Sequence, residues 1–181
     1  MTEEDQSVLA IPLPEAENVL SFVRSTYKGE MSPAGVPAHI TLLYPWMEPK
    51  RISKKTLAEL TSLFAGFPKF SLSLKLGWFG REVLLLIPHD PLPLIRLTKE
   101  IIHQWPEYPY YGGDYDDIEP HITLAYGDES NLIDLAKDVA SQLPLRADIS
   151  SVDLSIGRPG QMITHAKFSL SLDNSYLEVA T

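Results

Sequence analysis

The tetrapeptide His-Ile-Thr-Leu occurs twice in this chain of 181 residues, at residues 39–42 and again at residues 121–124. Each copy follows a proline-containing turn segment and is itself followed two residues later by a tyrosine. The surrounding pattern also repeats, with a helical apolar stripe, a loop, the tetrapeptide, a second helical stripe and two alternating stretches. We therefore predict a single bilobal domain over residues 1–181 built from one α/β unit used twice, with approximate half-repeats at 7–88 and 91–172.

The repeated pattern predicts an α+β fold in which two antiparallel sheets face a central cleft. Helical periodicity is present at residues 14–28, 53–66, 91–105 and 131–143. Strand patterns are present at residues 7–13, 39–44, 70–80, 82–88, 147–157 and 164–172. A chain of this length suits one domain or two small lobes that share a core.

Within each tetrapeptide, strand geometry separates the polar residues from the apolar ones. Alternate side chains of a strand share a face, so His39 and Thr41 point to one side while the intervening Ile and the Leu can pack in the core. The second copy repeats this arrangement with His121 and Thr123. If the two units face each other, two imidazoles and two hydroxyls meet in the cleft.

That set of groups suits phosphodiester chemistry without a metal or another cofactor. Imidazole titrates near neutral pH, so one ring can act as a base while the other acts as an acid. A threonine hydroxyl can donate a hydrogen bond to a phosphate oxygen. The alternative is that each histidine is a structural strand residue, which the repeated context disfavours. Neither motif offers a second histidine or carboxylate at ligand spacing, so we predict no metal site.

The two His-x-Thr motifs, with their lead-ins "AGVPA" and "IEP", resemble the two-histidine (2H) phosphoesterase superfamily, and within it the bacterial 2′-5′ RNA ligase-like proteins. The resemblance covers essentially the whole chain. It implies hydrolysis of 2′,3′-cyclic phosphates, or formation and cleavage of 2′-5′ phosphodiester bonds, in RNA processing. It also suggests that His121 activates the nucleophile and His39 protonates the leaving oxygen, roles that the reverse reaction exchanges.

Two other functions fit the same motifs. The chain could be a nucleotide- or RNA-binding protein that retains the motifs without catalysis, or an anti-defence hydrolase that opens small cyclic oligonucleotides. The formal net charge of −9 argues against extended double-stranded nucleic acid, so we expect a nucleotide or an RNA end as partner.

The loop "PEYPYYGGDYDD" leads into the second motif and contains Tyr108, Tyr110, Tyr111 and Tyr115 around two glycines. Tyrosine rings can stack on a base, and glycines permit movement of a loop over a substrate. The alternative is a surface loop whose tyrosines pack on the body of the protein. We treat the four tyrosines as candidate substrate contacts.

Other side chains near the motifs have weaker expectations. By strand alternation, Tyr44 and Tyr126 are expected to pack in the core. Arg81 and Arg158 lie at matched hairpin turns of the two halves, from which one could reach a phosphate. The remaining histidines have no partner motif and are expected to be structural or exposed.

The composition indicates the cellular compartment in which the protein is expected. The chain contains no cysteine, which is compatible with a reducing cytoplasm, and its acidic N-terminus does not have the pattern of a signal peptide. No apolar run reaches about 18 residues, so we expect no membrane span. We expect a cytoplasmic monomer.

Overall fold

The computed structural model describes residues 5–115, 117–158 and 160–171, and within them four α-helices pack on two antiparallel sheets. The elements are β1 (Gln6–Pro12), α1 (Glu17–Thr26), β2 (Glu30–Met31), β3 (His39–Leu43), α2 (Lys54–Ala65), β4 (Phe70–Phe79), β5 (Val83–Pro88), α3 (Leu92–Gln104), β6 (Ile122–Tyr126), α4 (Glu129–Ala140), β7 (Leu145–Ile149), β8 (Ser151–Arg158) and β9 (Gln161–Ser169). The predicted α+β class with two antiparallel sheets is confirmed. The division into half-repeats stays a prediction, and Leu172, its last residue, lies outside the described residues.

The two tetrapeptide strands lie in different sheets. The first sheet has the order β3-β1-β8-β9, and the second has the order β2-β6-β5-β4-β7. Helices α2 and α3 contact the first sheet, whereas α1 and α4 contact the second. The isoleucine and final leucine of both tetrapeptides are buried in one apolar core that the two sheets share. Burial of these residues leaves the histidines and threonines on the opposite face.

The segment 147–157 differs from its prediction as one strand. The chain leaves the second sheet after Ile149 and enters the first sheet at Ser151, so the alternating stretch forms two strands in two sheets. The alternation breaks because β8 is a central strand between β1 and β9, and both of its faces are buried from Val152 to Ser155. The turn-rich segment before the first motif also contributes the short strand β2 to the second sheet.

Strand β3 contains a β-bulge inside the first tetrapeptide. Thr41 lies opposite Ala10 of β1, while Leu43 lies opposite the adjacent Leu9, which makes Leu42 the extra residue. A bulge changes which face the following side chains occupy. Leu42 and Leu43 are consequently both buried, although they are consecutive.

Strand β6 has the same bulge at the corresponding residue, Leu124, where its register with β5 shifts. In both strands the extra residue places the tyrosine that follows the tetrapeptide on the same face as the histidine and threonine. Tyr126 is 40% exposed, and Tyr44 is half-buried. The expectation that these two tyrosines pack in the core is therefore wrong, because strand alternation does not continue through a bulge.

Arg24 of α1 holds the segment that leads into His39. Its guanidinium donates to three backbone carbonyls, those of Ser32, Pro33 and Val36, at 3.1, 3.0 and 2.8 Å. It also pairs with Glu17 at 3.3 Å, and Glu17 in turn accepts a hydrogen bond from the backbone N–H of Ala38. The first histidine is therefore positioned by helix α1 as well as by its own strand.

We expect Arg24→Gln to lower the free energy of unfolding by roughly 1 to 3 kcal/mol, because it leaves part-buried carbonyls and a carboxylate without their donor. Urea unfolding monitored by circular dichroism measures this change. The matched control is Arg81→Gln, which removes an exposed pair with Glu129 and should change stability by less than about 0.5 kcal/mol. Equal losses in the two variants would contradict the structural role of Arg24.

Candidate active site

Both motif histidines make the same hydrogen bond through the same ring atom. Nδ1 of His39 lies 2.8 Å from the carbonyl oxygen of Pro37, and Nδ1 of His121 lies 2.7 Å from that of Glu119. A carbonyl oxygen can only accept, so Nδ1 carries the proton and donates it in each case. Nε2 of each neutral ring is therefore left with a free lone pair, and it is the atom available to exchange a proton with a substrate.

The structure brings the four predicted motif residues together. His39, Thr41, His121 and Thr123 line one small central cavity with a volume of about 90 Å³. Strand β3 contains His39 and Thr41, and β6 contains Thr123 and directly follows His121; because the two strands belong to different sheets, the cavity lies between the sheets. Two imidazoles and two hydroxyls can thus surround a single small group.

A larger cavity of about 240 Å³, which we call the His39-side cavity, adjoins the first motif. It shares His39, Thr41 and Tyr111 with the central cavity. Its other polar lining side chains come from Gln6, Tyr44, Arg158 and Gln161. Arg158 is the cation of this lining, and no carboxylate of the described residues belongs to it.

A third cavity of about 540 Å³, which we call the His121-side cavity, adjoins the second motif. It shares His121, Thr123 and Tyr111 with the central cavity. Apart from the aliphatic Val83 and Leu85, the rest of its lining is aromatic or acidic: Phe79, Tyr110, Tyr115, Tyr126, Asp114, Asp117 and Glu119. Among the described residues, no lysine or arginine lines it.

Tyr111 lines all three cavities, whereas each of the other three loop tyrosines lines at most one of them. Its backbone has a φ of 46°, in the left-handed region that an aromatic residue rarely adopts. The ring makes edge-on contacts with the rings of Tyr44, Tyr110 and Tyr115. Burial raises the pKa of its phenol, and a hydrogen bond with the Thr41 side chain partly offsets that rise.

The other loop tyrosines divide into cavity and core residues. Tyr115 is 52% exposed and lines the His121-side cavity beside Phe79. Tyr110 is buried, and its hydroxyl donates at 3.4 Å to the Glu119 carbonyl that also accepts from His121. Tyr108 packs against Trp46 and lines none of the three cavities. Tyr110, Tyr111 and Tyr115 thus line cavities and Tyr108 packs on the body of the protein, while substrate contact by the loop stays a prediction.

Burial lowers the pKa of His39, and the nearby His121 imidazole acts in the same direction. The hydrogen bond to Pro37 and the negative charge of Glu17 oppose this change without cancelling it. The neutral form of His39 is therefore favoured near neutral pH. A neutral imidazole with its proton on Nδ1 is equipped to accept a proton at Nε2.

Sequence reasoning missed several cleft residues. Tyr44, Tyr126 and Gln6 reach the cavities, and the position of the two tyrosines depends on bulges that the residue pattern does not reveal. The two hairpin arginines also separate, since Arg158 lines the His39-side cavity while Arg81 pairs with Glu129 at 3.3 Å on the surface.

Features outside the motifs add little to the site. The histidines without a partner motif are exposed, namely His89, His103 and His165. No group of three or more potential ligand side chains in the described part of the chain is arranged to hold a metal ion. Within the same residues, no helix is both long and apolar enough to cross a membrane.

A family model and solved structures match the chain over most of its length. The model described as the 2′-5′ RNA ligase superfamily matches residues 12–159. TT0787 of Thermus thermophilus is 20% identical, with a TM-score of 0.60 over 92% of this chain and 98% of that one. Apo LigT of E. coli is 21% identical, with a TM-score of 0.60 over 94% of this chain and 100% of LigT.

A complex of E. coli LigT with 3′-AMP is also similar, at 19% identity and a TM-score of 0.57, with 94% of this chain and 100% of that chain covered. No curated protein sequence matches the chain. At these identities the solved structures show a shared fold, and the family model shows common descent over the segment that contains both motifs.

We expect His39 to titrate below the ordinary histidine pKa of about 6.5, because burial disfavours its charged form. The folded state then binds fewer protons than the unfolded state between the two pKa values. The stability that His39 contributes is complete above the unfolded pKa and is lost as the pH falls through the folded pKa. NMR titration of the ring measures the first effect.

Urea unfolding at about pH 8 and about pH 5, on either side of the ordinary histidine pKa, measures the second effect. The His39→Gln variant, which has no titrating ring at this position, should lose less stability on acidification than the wild type. An equal loss in both proteins, or titration of His39 at or above the ordinary value, would contradict the assigned burial effect.

Proposed function

The chain belongs to the 2′-5′ RNA ligase superfamily, and on that basis we propose that it is a phosphoesterase that acts on 2′,3′-cyclic phosphate or 2′-5′ phosphodiester bonds of nucleotides or RNA ends. Membership confirms the resemblance drawn from the two motifs. The observation that supports the proposed chemistry most is the matched pair of imidazoles, each oriented through Nδ1, around one small cavity.

In the proposed mechanism the scissile phosphate occupies the central cavity. The hydroxyls of Thr41 and Thr123 donate hydrogen bonds to its non-bridging oxygens, where negative charge increases in the transition state. One imidazole then accepts a proton from the attacking oxygen, and the other donates a proton to the leaving oxygen on the opposite side of the phosphate. The chain's own side chains supply each proton transfer in this scheme.

The lowered pKa of His39 supports an assignment that is the reverse of the one suggested by family resemblance. In the opening of a cyclic phosphate, Nε2 of His39 takes a proton from water as the new P–O bond forms. Nε2–H of His121 gives its proton to the ribose oxygen as the old P–O bond breaks. A ribose 5′-OH in place of water leaves these roles unchanged and forms a 2′-5′ bond, whereas the reverse step, in which the ribose oxygen attacks and the 5′ oxygen leaves, exchanges them.

A nucleotide substrate fits the surroundings of the proposed centre. The His121-side cavity offers tyrosine faces on which a base can stack, at a size within the range of ligand pockets. The similar E. coli LigT has been solved with 3′-AMP, which supports the same ligand class here. A cytoplasmic location and a monomeric state stay predictions.

We expect His39→Ala and His121→Ala each to lower kcat by roughly 10² to 10⁴ on a nucleoside 2′,3′-cyclic phosphate, because each removes one proton transfer. An aryl phosphodiester with a good leaving group needs no general acid. On that substrate His121→Ala should recover most of its activity, whereas His39→Ala should not. His103→Ala, at an exposed position on α3, is the matched control and should keep wild-type rates on both substrates.

The result that would overturn the proposed chemistry is a folded His39→Ala or His121→Ala variant with near-wild-type turnover of the cyclic phosphate. Recovery of His39→Ala in place of His121→Ala would reverse the roles but retain the mechanism.

Binding without turnover by the wild type would favour the non-catalytic alternative. Faster cleavage of cyclic dinucleotides than of the cyclic mononucleotide would favour the anti-defence alternative. Persistence of activity in EDTA tests the absence of a metal requirement.

The cavity-facing tyrosines should contribute mainly to substrate binding. We expect the double variant Tyr111→Gly, Tyr115→Ala to raise KM more than it lowers kcat, since both rings line the His121-side cavity and the proposed mechanism assigns them no proton transfer. Glycine is chosen at residue 111 because it tolerates the left-handed backbone. Tyr108→Phe is the control, and kinetic parameters unchanged in the double variant would exclude substrate contact by these rings.

A further inference from the structure

The two cavities that flank the central one differ in charge. The His39-side lining contains Arg158 and no described carboxylate, whereas the His121-side lining contains Asp114, Asp117 and Glu119 and no described cation. A linear phosphodiester whose phosphate occupies the central cavity has two ester arms, one for each of these flanking cavities. The sequence repeat therefore supplies two similar catalytic groups, but the spaces beside them select different chemical partners.

Arg158 has no competing partner among the ion pairs of the described residues. Asp5 and Arg158 both border a neighbouring cavity, but no ion pair joins them. The guanidinium thus retains its donors for a ligand. A guanidinium binds phosphate through two parallel N–H donors, which makes it the most suitable side chain of this cavity for a second anionic group.

The hairpin that carries Arg158 is fixed to the segment that positions His39. The backbone N–H of Met162 donates to the carbonyl oxygen of Gly35 at 3.1 Å. A Cβ atom at Gly35 would lie 2.2 Å from the carbonyl oxygen of Gly160, so only glycine permits this approach. Arg24 holds the same segment from the other side. The hairpin that carries Arg158 and the segment that leads into His39 are therefore held together by direct backbone contacts.

The His121-side cavity suits an uncharged group with hydrogen-bond donors. Tyr115 and Tyr126 present partly exposed rings for stacking on a base, and the nearby carboxylates can accept from ribose hydroxyls or from amino groups of the base. The same carboxylates repel a second phosphate. The scissile phosphate is then carried by a nucleoside on this side, and further negative charge is directed to the other.

We propose that the His39-side cavity binds a second phosphate of the substrate through Arg158, while the His121-side cavity binds the nucleoside that carries the scissile phosphate. The inference rests on the proposed phosphoesterase function and deepens it. It names as the preferred substrate class a 2′-5′-linked oligonucleotide whose downstream nucleotide carries a phosphate of its own.

The test uses two 2′-5′-linked dinucleotides that differ only in a phosphate on the terminal 3′ oxygen. The wild type should cleave the phosphorylated one with kcat/KM about tenfold higher, the effect of one charge-assisted hydrogen bond at a site open to solvent. Arg158→Gln should abolish this preference, so that its kcat/KM is the same for the two dinucleotides. Arg81→Gln, at the matched hairpin turn outside the three cavities, should keep the preference.

Dissociation constants for the same two dinucleotides, measured by calorimetry, give a readout that does not require turnover. The preference should weaken at high salt, because exposed charges are screened. Wild-type preference that survives in Arg158→Gln, or is absent from the wild type, would overturn the inference. If the wild type binds the phosphorylated dinucleotide more tightly through Arg158 but cleaves neither, the inference stands and the proposed function fails.

Discussion

The hydrogen bond from Nδ1 of each motif histidine to the carbonyl two residues before it is the interaction on which the site depends. It fixes the tautomer, and it leaves Nε2 of each ring as the atom that can exchange a proton. The strand alone cannot impose this, because χ rotation would allow the imidazole to turn its other nitrogen to the cleft. The residues that hold the two carbonyls in place are therefore as much a part of the site as the rings.

The two carbonyls are supported in different ways. On the first side, Arg24 and Glu17 of α1 hold the segment that contains Pro37. On the second side, the hydroxyl of the buried Tyr110 donates to the Glu119 carbonyl itself. The hydrogen-bonded geometry of the two histidines is thus duplicated, whereas the residues that support it are not. This lets each half change its surroundings without moving its histidine, and the opposite charges of the two flanking cavities are consistent with such a division.

The sequence was sufficient to predict the fold class and the meeting of the four motif residues, because strand periodicity determines which side chains share a face. It was insufficient where that periodicity is interrupted. The bulges at Leu42 and Leu124 return Tyr44 and Tyr126 to the cleft, and no local residue pattern signals them. The change of sheet at Ser150 depends on strand order, which is set by long-range pairing with β1. The tyrosine loop could be located from the sequence. Which of its tyrosines pack in the core and which line a cavity could not be predicted, because the local residue pattern does not distinguish them.

Tyr111 shows how such a loop is held over the site. A left-handed backbone at a bulky residue costs on the order of 1 to 3 kcal/mol, so the conformation persists only where other contacts offset that cost. The ring contacts with Tyr44, Tyr110 and Tyr115 and the hydrogen bond with Thr41 are the interactions available to do so. Thr41 is also the proposed phosphate donor, and a phosphate that accepts its hydrogen bond would compete with the Tyr111 phenol. In the proposed mechanism, a phosphate in the central cavity would therefore weaken one of the interactions that hold Tyr111 in place.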